Sequence, residues 1–316
     1  MTNKQITLKW IKQLSNQNSK TAIFDYFAHF DVDTETLNDI VCFPEYHTLL
    51  GVNPQTLNIL RLNTLSNKLD TIGSAWRGEY PGRTFRKTPS GSKLLILTKK
   101  FKISAFKILN KMRLSRAGSV LLSLDSSIID FTAVGEDNLA IATSSQLYFY
   151  QYGKEFSDLV SFSNLSERML PDEQISSLVY AEAASKLFVA FFDKRSIQGT
   201  RLCTFGLVNG KKLCLNTITS LDGGACRSPP GVVMKMSIWD EASENGSKRT
   251  LLVCHEATGD CRLRVYRFLK SGLNLVVSKS NYCNGPCYAS ELVGSVLVSQ
   301  GVNGEMRMSD LMKIQG

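Results

Sequence analysis

Lys93-Leu-Leu-Ile-Leu97 is the stretch that decides the fold of this chain, because similar apolar runs recur along the sequence at a nearly fixed distance from it. The successive steps between the runs are 45, 45, 48, 64 and 45 residues. The first apolar residues of the six runs are Leu49, Leu94, Leu139, Leu187, Leu251 and Val296. A period in the forties is typical of repeat architectures, and we therefore predict an all-β protein built as a β-propeller.

Each repeat contains enough strand-like sequence for a four-stranded blade. The apolar run is short and bounded by polar turns, which suits a second strand that is buried on both faces. A third strand with alternating apolar and polar residues follows, as in Lys102–Ile108 and Leu147–Tyr152. A first strand precedes the run, as in Asn38–Phe43, and fourth-strand candidates such as Ser119–Ser123 complete the unit.

Six runs favour six blades, but the last repeat lacks an outer strand because the chain ends soon after its third strand. We predict that the N-terminal run Ala22–Phe27 supplies this strand and removes an open sheet edge. The propeller then covers residues 21–316, and residues 1–20 form an N-terminal extension. Two alternatives are a seventh, degenerate blade built partly from residues 1–35, and an incomplete propeller completed by another chain.

The longest step, 64 residues, indicates inserted sequence between the fourth and fifth runs. Three segments there are rich in glycine, serine, proline and charged residues, which is typical of surface loops. They are Asp193–Thr200, Asp222–Gly231 and Glu241–Lys248.

The order of first strand, turn, apolar second strand, turn and third strand resembles that of WD-repeat proteins over roughly residues 36–313. Of the Trp-Asp pair that ends the third strand in that family, Asp310 alone matches, and Leu60, Phe106, Tyr150, Tyr266 and Ser309 stand at the tryptophan position. The resemblance implies a non-catalytic propeller scaffold that holds protein partners on its top face and rim.

Positive charge is concentrated in one repeat. The chain has a net charge of +9, and residues 71–124 contain twelve Lys and Arg residues with Glu79 as the single acidic residue. Such a local field attracts polyanions. We predict that this basic blade contacts an acidic protein or, alternatively, RNA or DNA, through Arg77, Arg83, Arg86, Lys87, Lys99, Lys100, Lys102, Lys111, Arg113 and Arg116.

Four of these residues, Arg77, Arg83, Arg86 and Lys87, are expected to share one loop, in which aromatic residues alternate with the cations. Aromatic rings beside arginines are suited to base stacking, and the stacking candidates are Trp76, Tyr80 and Phe85. An ordinary solvated rim, on which lysines discourage edge-to-edge pairing, is the alternative interpretation of the same charges.

Cysteine and histidine residues give no catalytic or metal motif. Cys254, Cys261, Cys283, Cys287 and His255 contain ligand-type side chains, but they lack the close cysteine pairs of zinc sites. Free cysteines pack as small apolar residues, so we expect no metal, no cofactor and no enzyme activity.

The N-terminal sequence lacks the apolar segment of a secretory signal, and no apolar run is long enough to cross a membrane. We therefore expect an intracellular protein of the nucleus or cytoplasm with reduced cysteines. Its expected partners are other protein subunits rather than a second copy of the chain. The apolar residues of segment 6–14 are expected to pack on the propeller flank or to dock a partner.

Overall fold

The structure is a computed structural model that describes most of the chain from residue 25 onward. The described residues are 25–28, 39–46, 48–52, 59–63, 68–71, 84–99, 102–109, 113–121, 127–152, 157–208, 212–220, 231–242, 248–257, 261–269, 272–280, 282, 289–300 and 306–311. The predicted N-terminal extension, residues 1–20, lies outside them.

The described residues form strands almost throughout. In chain order the strands are β1 (Asp25–Ala28), β2 (Ile40–Phe43), β3 (Thr48–Val52), β4 (Ile59–Asn63), β5 (Lys68–Thr71), β6 (Thr84–Lys87), β7 (Lys93–Lys99), β8 (Lys102–Leu109), β9 (Arg113–Leu121), β10 (Asp130–Val134), β11 (Asn138–Ala142), β12 (Gln146–Tyr152), β13 (Ser157–Asn164), β14 (Glu173–Ala181), β15 (Lys186–Asp193), β16 (Gln198–Val208), β17 (Lys212–Ser220), β18 (Val232–Ala242), β19 (Lys248–Ala257), β20 (Arg262–Leu269), β21 (Gly272–Lys279), β22 (Ala289–Val293), β23 (Val296–Gln300) and β24 (Met306–Asp310). Short 3-10 turns occupy Pro44–Tyr46 and Ser166–Arg168.

These strands form six four-stranded antiparallel sheets within the described part of the chain. Five sheets are simple meanders of consecutive strands, namely β2–β5, β6–β9, β10–β13, β14–β17 and β18–β21. The sixth combines β22, β23 and β24 with β1. The all-β class is therefore confirmed, and the sheets have a propeller-like arrangement.

The apolar runs form the second strand of each sheet and are buried on both faces. Leu94, Leu95, Ile96 and Leu97 are at most 3% exposed. Leu95 and Leu97 pack against the third sheet through Phe131 and other residues, whereas Leu94 and Ile96 pack against the first sheet. Burial on both faces explains why these runs are continuous apolar segments rather than alternating ones.

The first strands of the sheets contact one another in chain order. β2 contacts β6, β6 contacts β10, β10 contacts β14, β14 contacts β18, β18 contacts β22, and β22 contacts β2. The last sheet thus returns to the first, so the described sheets pack side by side with no gap between their first strands.

The N-terminal strand β1 completes the sixth sheet. It pairs antiparallel with β24, with Asp25 opposite Ser309 and Ala28 opposite Met306. This is the pairing that the sequence predicted for the run Ala22–Phe27, of which residues 22–24 lie outside the described residues. The pairing brings residues about 280 positions apart in the chain into one sheet.

The register between the third and fourth strands shifts by one residue in four of the sheets, as in a β-bulge. In each case the third-strand residue after the shift is aromatic, namely Phe106, Tyr150, Phe205 and Tyr266. Three of these were identified from the sequence as standing at the tryptophan position of a WD repeat, and Phe205 was missed. A bulge of this kind places one extra residue in the outer strand and increases its local twist.

The inserted residues between the fourth and fifth runs partly lengthen strands. Asp193 ends β15 and Gln198 begins β16, so a tight turn replaces the longer loop predicted over Asp193–Thr200. The Asp193 carboxylate accepts hydrogen bonds from the amides of Arg195 and Ser196 and thereby fixes the turn. Among the described residues, no helix combines the length and apolar character required to cross a membrane.

Candidate interaction surface

The predicted site residues fall into four groups, one of which, Lys102 and Arg116, lies on the outer strands β8 and β9 of the second sheet. Six of the predicted residues, Arg77, Arg83, Lys100, Lys111, Trp76 and Tyr80, lie outside the described residues. Lys99 and Arg113 are described by their backbone alone, at the end of β7 and the start of β9. Phe85, Arg86 and Lys87 lie in β6, the first strand of the second sheet, so the prediction of a loop at these three positions is wrong.

Phe85 is a core residue. Its side chain is 1% exposed and packs with Val41, Phe43 and Leu94, and its amide donates to Asp39 Oδ2 at 2.9 Å. A ring enclosed in this way has no free face for a nucleic-acid base, so the predicted stacking role of Phe85 is wrong.

Arg86 joins three sheets. Its Nη2 lies 2.6 Å from Asp130 Oδ1, and its Nη1 lies 3.4 Å from Asp39 Oδ2. The guanidinium also lies 5.8 Å from the centre of the Phe131 ring, within the range of a cation–π contact. Because its charge is shared between two carboxylates that are at most 6% exposed, Arg86 stabilises the packing of the sheets rather than facing solvent.

Asp39 and Asp130 occupy equivalent positions two repeats apart. Each accepts a hydrogen bond from the amide of its own following residue and a second from a first strand of another sheet. For Asp39 the second donor is Phe85 N, and for Asp130 it is Leu178 N at 3.0 Å. The two aspartates therefore link neighbouring sheets through equivalent hydrogen bonds.

Lys87 and Lys235 form ion pairs that add the sixth and the fifth sheet, respectively, to these polar contacts. Lys87 Nζ lies 2.7 Å from Glu291 Oε1 and donates to the Cys42 carbonyl at 2.7 Å. Glu291 also accepts a hydrogen bond from Cys42 N. Lys235 forms an ion pair with Asp39.

We refer to these side chains together as the central ion network, and it contains three cations and three anions. Its members are Asp39, Arg86, Lys87, Asp130, Lys235 and Glu291. The fourth sheet joins through Ser177, whose hydroxyl donates to Asp130 Oδ2 at 2.9 Å. The first-strand regions of all six sheets are therefore connected by polar side chains.

Arg86 and Lys87 were identified from the sequence as cations, whereas the carboxylates that pair with them were not identified. Asp39 and Asp130 each directly precede or begin a first strand, at positions 91 residues apart, which is about two repeats. This periodic placement of an aspartate was the available indication. No sequence pattern identifies Lys235 and Glu291 as members.

His255 is a buried hydrogen-bonded residue. It is 1% exposed, and its Nδ1 and Nε2 lie 3.0 Å from Ser290 Oγ and 3.3 Å from Ser299 Oγ. Burial lowers the pKa of His255 to about 4, so the ring is neutral at physiological pH. Its hydrogen bonds to Ser290 and Ser299 link the fifth sheet to the sixth.

The cysteines considered as zinc ligands belong to different cores where they are described. Cys254 packs between the fourth and fifth sheets, and Cys261 packs between the fifth and sixth sheets. Burial raises the pKa of the Cys254 thiol well above its usual value, which disfavours the thiolate that a metal requires. Cys283 and Cys287 lie outside the described residues, and the rest of the described chain contains no cluster of three metal-ligating side chains.

The outer half of the second sheet combines exposed cations with exposed leucines. Lys107 and Arg116 are exposed, Lys102 is partly buried, and Leu109 and Leu121 are 46% and 67% exposed. No aspartate or glutamate occurs between residues 80 and 124. We call this surface the basic edge and define it as Lys102, Lys107, Leu109, Arg116 and Leu121 on β8 and β9.

Part of the basic charge of this sheet is matched by its neighbour. Lys93 Nζ lies 2.7 Å from Asp137 Oδ1 and 2.8 Å from the Glu136 carbonyl, both in the turn between β10 and β11. The basic edge lies at the other side of the sheet from β6 and its ion pairs. Its exposed side chains are Lys107, Leu109, Arg116 and Leu121.

Comparison with known proteins supports the fold and gives no family. A scan against models of protein families found no match, and a search of curated proteins found none. A solved structure described as a structural genomics protein of unknown function from Bacteroides thetaiotaomicron VPI-5482 is 10% identical, with a TM-score of 0.59, and the match covers 92% of this chain and 73% of that one. The crystal structure of the computationally designed Ika8 protein is 11% identical, with a TM-score of 0.48, over 87% and 71% of the two chains.

Proposed function

We propose that this chain is a six-bladed β-propeller scaffold of the WD-repeat type, closed by its N-terminal strand, that binds other protein subunits in a larger intracellular complex of the nucleus or cytoplasm. The observation that carries the binding role is the basic edge, where cations and exposed leucines share the outer strands of one sheet. Such a mixed surface suits a protein partner, because partner recognition combines apolar burial with charge complementarity.

Two observations support the six-bladed arrangement. The described strands form six four-stranded sheets whose first strands contact one another from β2 to β22 and back to β2. The central ion network then connects these first strands through charged hydrogen bonds. Both features are expected of a closed propeller with one blade per sheet.

The proposal excludes catalysis, and the state of the reactive side chains supports this. His255 is neutral and enclosed between two serines. Burial raises the pKa of the Cys42 thiol well above its usual value and that of Cys203 to about 11, so neither thiol is an activated nucleophile. These groups have the properties of core residues.

A co-purification experiment tests the proposal. The chain is isolated from its native cells with its bound proteins, alongside a Lys107→Glu/Arg116→Glu variant and a Lys194→Glu/Arg168→Glu control. The control changes the net charge equally at exposed positions of the fourth sheet and of the connection that precedes it. We expect partners that are lost from the first variant and retained by the control. Equal retention by both variants, or a native chain that elutes alone, contradicts the proposal.

Nucleic-acid binding is the second candidate function, and the absence of acidic residues between positions 80 and 124 favours it. Phosphate contacts predict that affinity falls steeply with salt, with a slope of about −0.9 per neutralised phosphate for duplex DNA. The measurement is a salt titration of binding to a duplex DNA and to a single-stranded RNA. Unchanged binding by the Lys107→Glu/Arg116→Glu variant would exclude the basic edge as the contact surface.

A further inference from the structure

Strand β9 is the outermost strand of the second sheet. It is nine residues long, and no strand lies beyond it in the described part of the chain. One edge of an outermost strand presents a row of backbone amide and carbonyl groups that another extended segment can pair with. The length of β9 is sufficient for a ladder of several such hydrogen bonds.

Cations and an apolar side chain lie together on one face beside this edge. Lys102 pairs directly with Leu121, and Phe106 pairs with Arg116. Lys102 and Phe106 are four residues apart in β8, so these paired residues all project from the same face of the sheet. Arg116 and Leu121 are both exposed on β9 itself.

The other long outer strands have a different character. β13, β17 and β21 each contain one charged residue, at or next to an end, namely Asp158, Lys212 and Lys279. β9 contains Arg113 and Arg116, and its neighbour β8 adds Lys102 and Lys107. Its two arginines therefore make β9 the most positively charged of these four outer strands.

We propose that β9 binds an extended acidic segment of a partner protein, which adds to the second sheet as a fifth strand. This inference rests on the proposed scaffold function and specifies its partner. The backbone edge of β9 supplies the main-chain hydrogen bonds, and the cations pair with carboxylates at alternate positions of the added strand.

The observations favour a peptide over a nucleic acid as the ligand of this edge. Leu121, at 67% exposure, would contact solvent or phosphate in a nucleic-acid complex, whereas a peptide offers apolar atoms for it to pack against. Phe85 is buried and offers no stacking surface. Phosphates accept hydrogen bonds from the amides of a strand edge but cannot donate to its carbonyl groups, so they satisfy only half of the row.

A binding experiment with defined probes tests this. The probe is a fluorescent peptide of alternating glutamate and valine, about ten residues long. A second peptide has the same sequence but is N-methylated at two adjacent central residues, which blocks hydrogen bonding at both of its edges. An oligouridylate of similar length represents a nucleic acid. Binding is measured by fluorescence anisotropy, and hydrogen exchange is measured at the amides of residues 113–121.

We expect the unmodified peptide to bind and to slow hydrogen exchange in β9. N-methylation weakens its binding about tenfold or more, because the strand ladder is lost. Lys107→Glu/Arg116→Glu weakens it to a similar degree, while the Lys194→Glu/Arg168→Glu control binds as the unmodified protein does. Equal thermal unfolding temperatures of the two variants show that folding is intact.

Three results overturn the inference, namely no binding of the unmodified peptide, equal binding of both peptides, or tighter binding of the oligouridylate. Its failure is distinguishable from failure of the proposed function. If partners still co-purify and are still lost from Lys107→Glu/Arg116→Glu, the scaffold role holds and strand addition alone is wrong. If no partner co-purifies at all, the scaffold role itself fails.

Discussion

Arg86 Nη2 lies 2.6 Å from Asp130 Oδ1, across the junction between the second and third sheets. The two residues are 44 positions apart, nearly one repeat, and both belong to first strands. A cation in one repeat is thus matched by an anion in the next.

Replacing Arg86 with methionine is expected to destabilise the protein strongly. The substitution leaves Asp130 without its cation and removes one of the two cations beside Asp39, at sites that are at most 6% exposed. Removal of one member of such a buried pair costs about 3 kcal/mol or more. Urea unfolding monitored by tryptophan fluorescence measures the change. A loss of less than about 1 kcal/mol would show that the network contributes little.

The Lys87–Glu291 pair is expected to be energetically coupled. The two side chains are 22% and 14% exposed, so solvent screens their interaction only in part. A double-mutant cycle with Lys87→Met and Glu291→Gln should give a coupling energy of about 1–2 kcal/mol. The matched control is the pair formed by Lys93 and Asp137. Because the Asp137 side chain is 64% exposed, the coupling energy of this pair should be below about 0.5 kcal/mol. Equal coupling in both cycles would contradict the prediction.

Removal of β1 is expected to open the sixth sheet. A chain that lacks residues 1–28 loses the strand that pairs with β24, and the freed edge can pair with another molecule. We expect the melting temperature to fall by roughly 5 °C or more and a fraction of the protein to self-associate, as measured by calorimetry and light scattering. Deletion of residues 1–20, which retains β1, is the control. Identical behaviour of the two deletions would rule out a closing role for β1.

The buried His255 is expected to make stability depend on pH. Burial, with a smaller contribution from the Lys235 charge, lowers the pKa of His255 to about 4 in the folded protein, against an ordinary value of 6.5. The unfolded chain therefore binds the proton more tightly, so the free energy of unfolding is greatest above pH 6.5 and falls as the pH decreases toward 4. The loss over this interval is about 3 kcal/mol.

Urea unfolding at a series of pH values measures this dependence. His255→Gln is the matched variant, since it keeps a polar side chain but has no titratable ring. Its stability should change less between about pH 7 and pH 5 than that of the unmodified protein. Equal pH dependence of the two proteins would show that His255 does not control it.

The buried cysteines are expected to resist alkylation in the folded protein. Burial raises the pKa of Cys203 to about 11 and raises the pKa values of Cys42 and Cys254 well above their usual value, so the reactive thiolate is scarce and enclosed. Cys214 is partly exposed. Mass spectrometry after iodoacetamide treatment should find Cys214 modified before Cys42, Cys203 and Cys254, and all four of these modified in denaturant. Rapid native modification of Cys254 would indicate an open site.

Much of the fold was predictable because the apolar second strands recur at a nearly fixed interval in the sequence. Runs such as Leu94–Leu97 are apolar at every position since both faces of a second strand are covered by neighbouring sheets. The run Ala22–Phe27 was identified as a closing strand because the last repeat was one strand short. Strand lengths around Asp193 were not predicted, because turn residues within a hairpin resemble those of a longer loop.

The candidate site was less predictable. Charge counting located the basic blade, but it treated Arg86 and Lys107 alike. Arg86 lies in a first strand beside Asp39 and Asp130, whereas Lys107 is exposed on the third strand. A sequence gives the charge of each residue but does not give its distance from an opposite charge in another repeat.

The amino-acid sequence by itself determined the all-β class, the repeat and the position of the positive charge, because each of these depends on residues near one another in the chain. The tertiary structure alone decided which of those charges are matched. Pairs such as Lys235 with Asp39 form between residues 196 positions apart, and they depend on how the sheets pack rather than on any local pattern. Electrostatic interaction acts through space, so its consequences follow from the packed sheets.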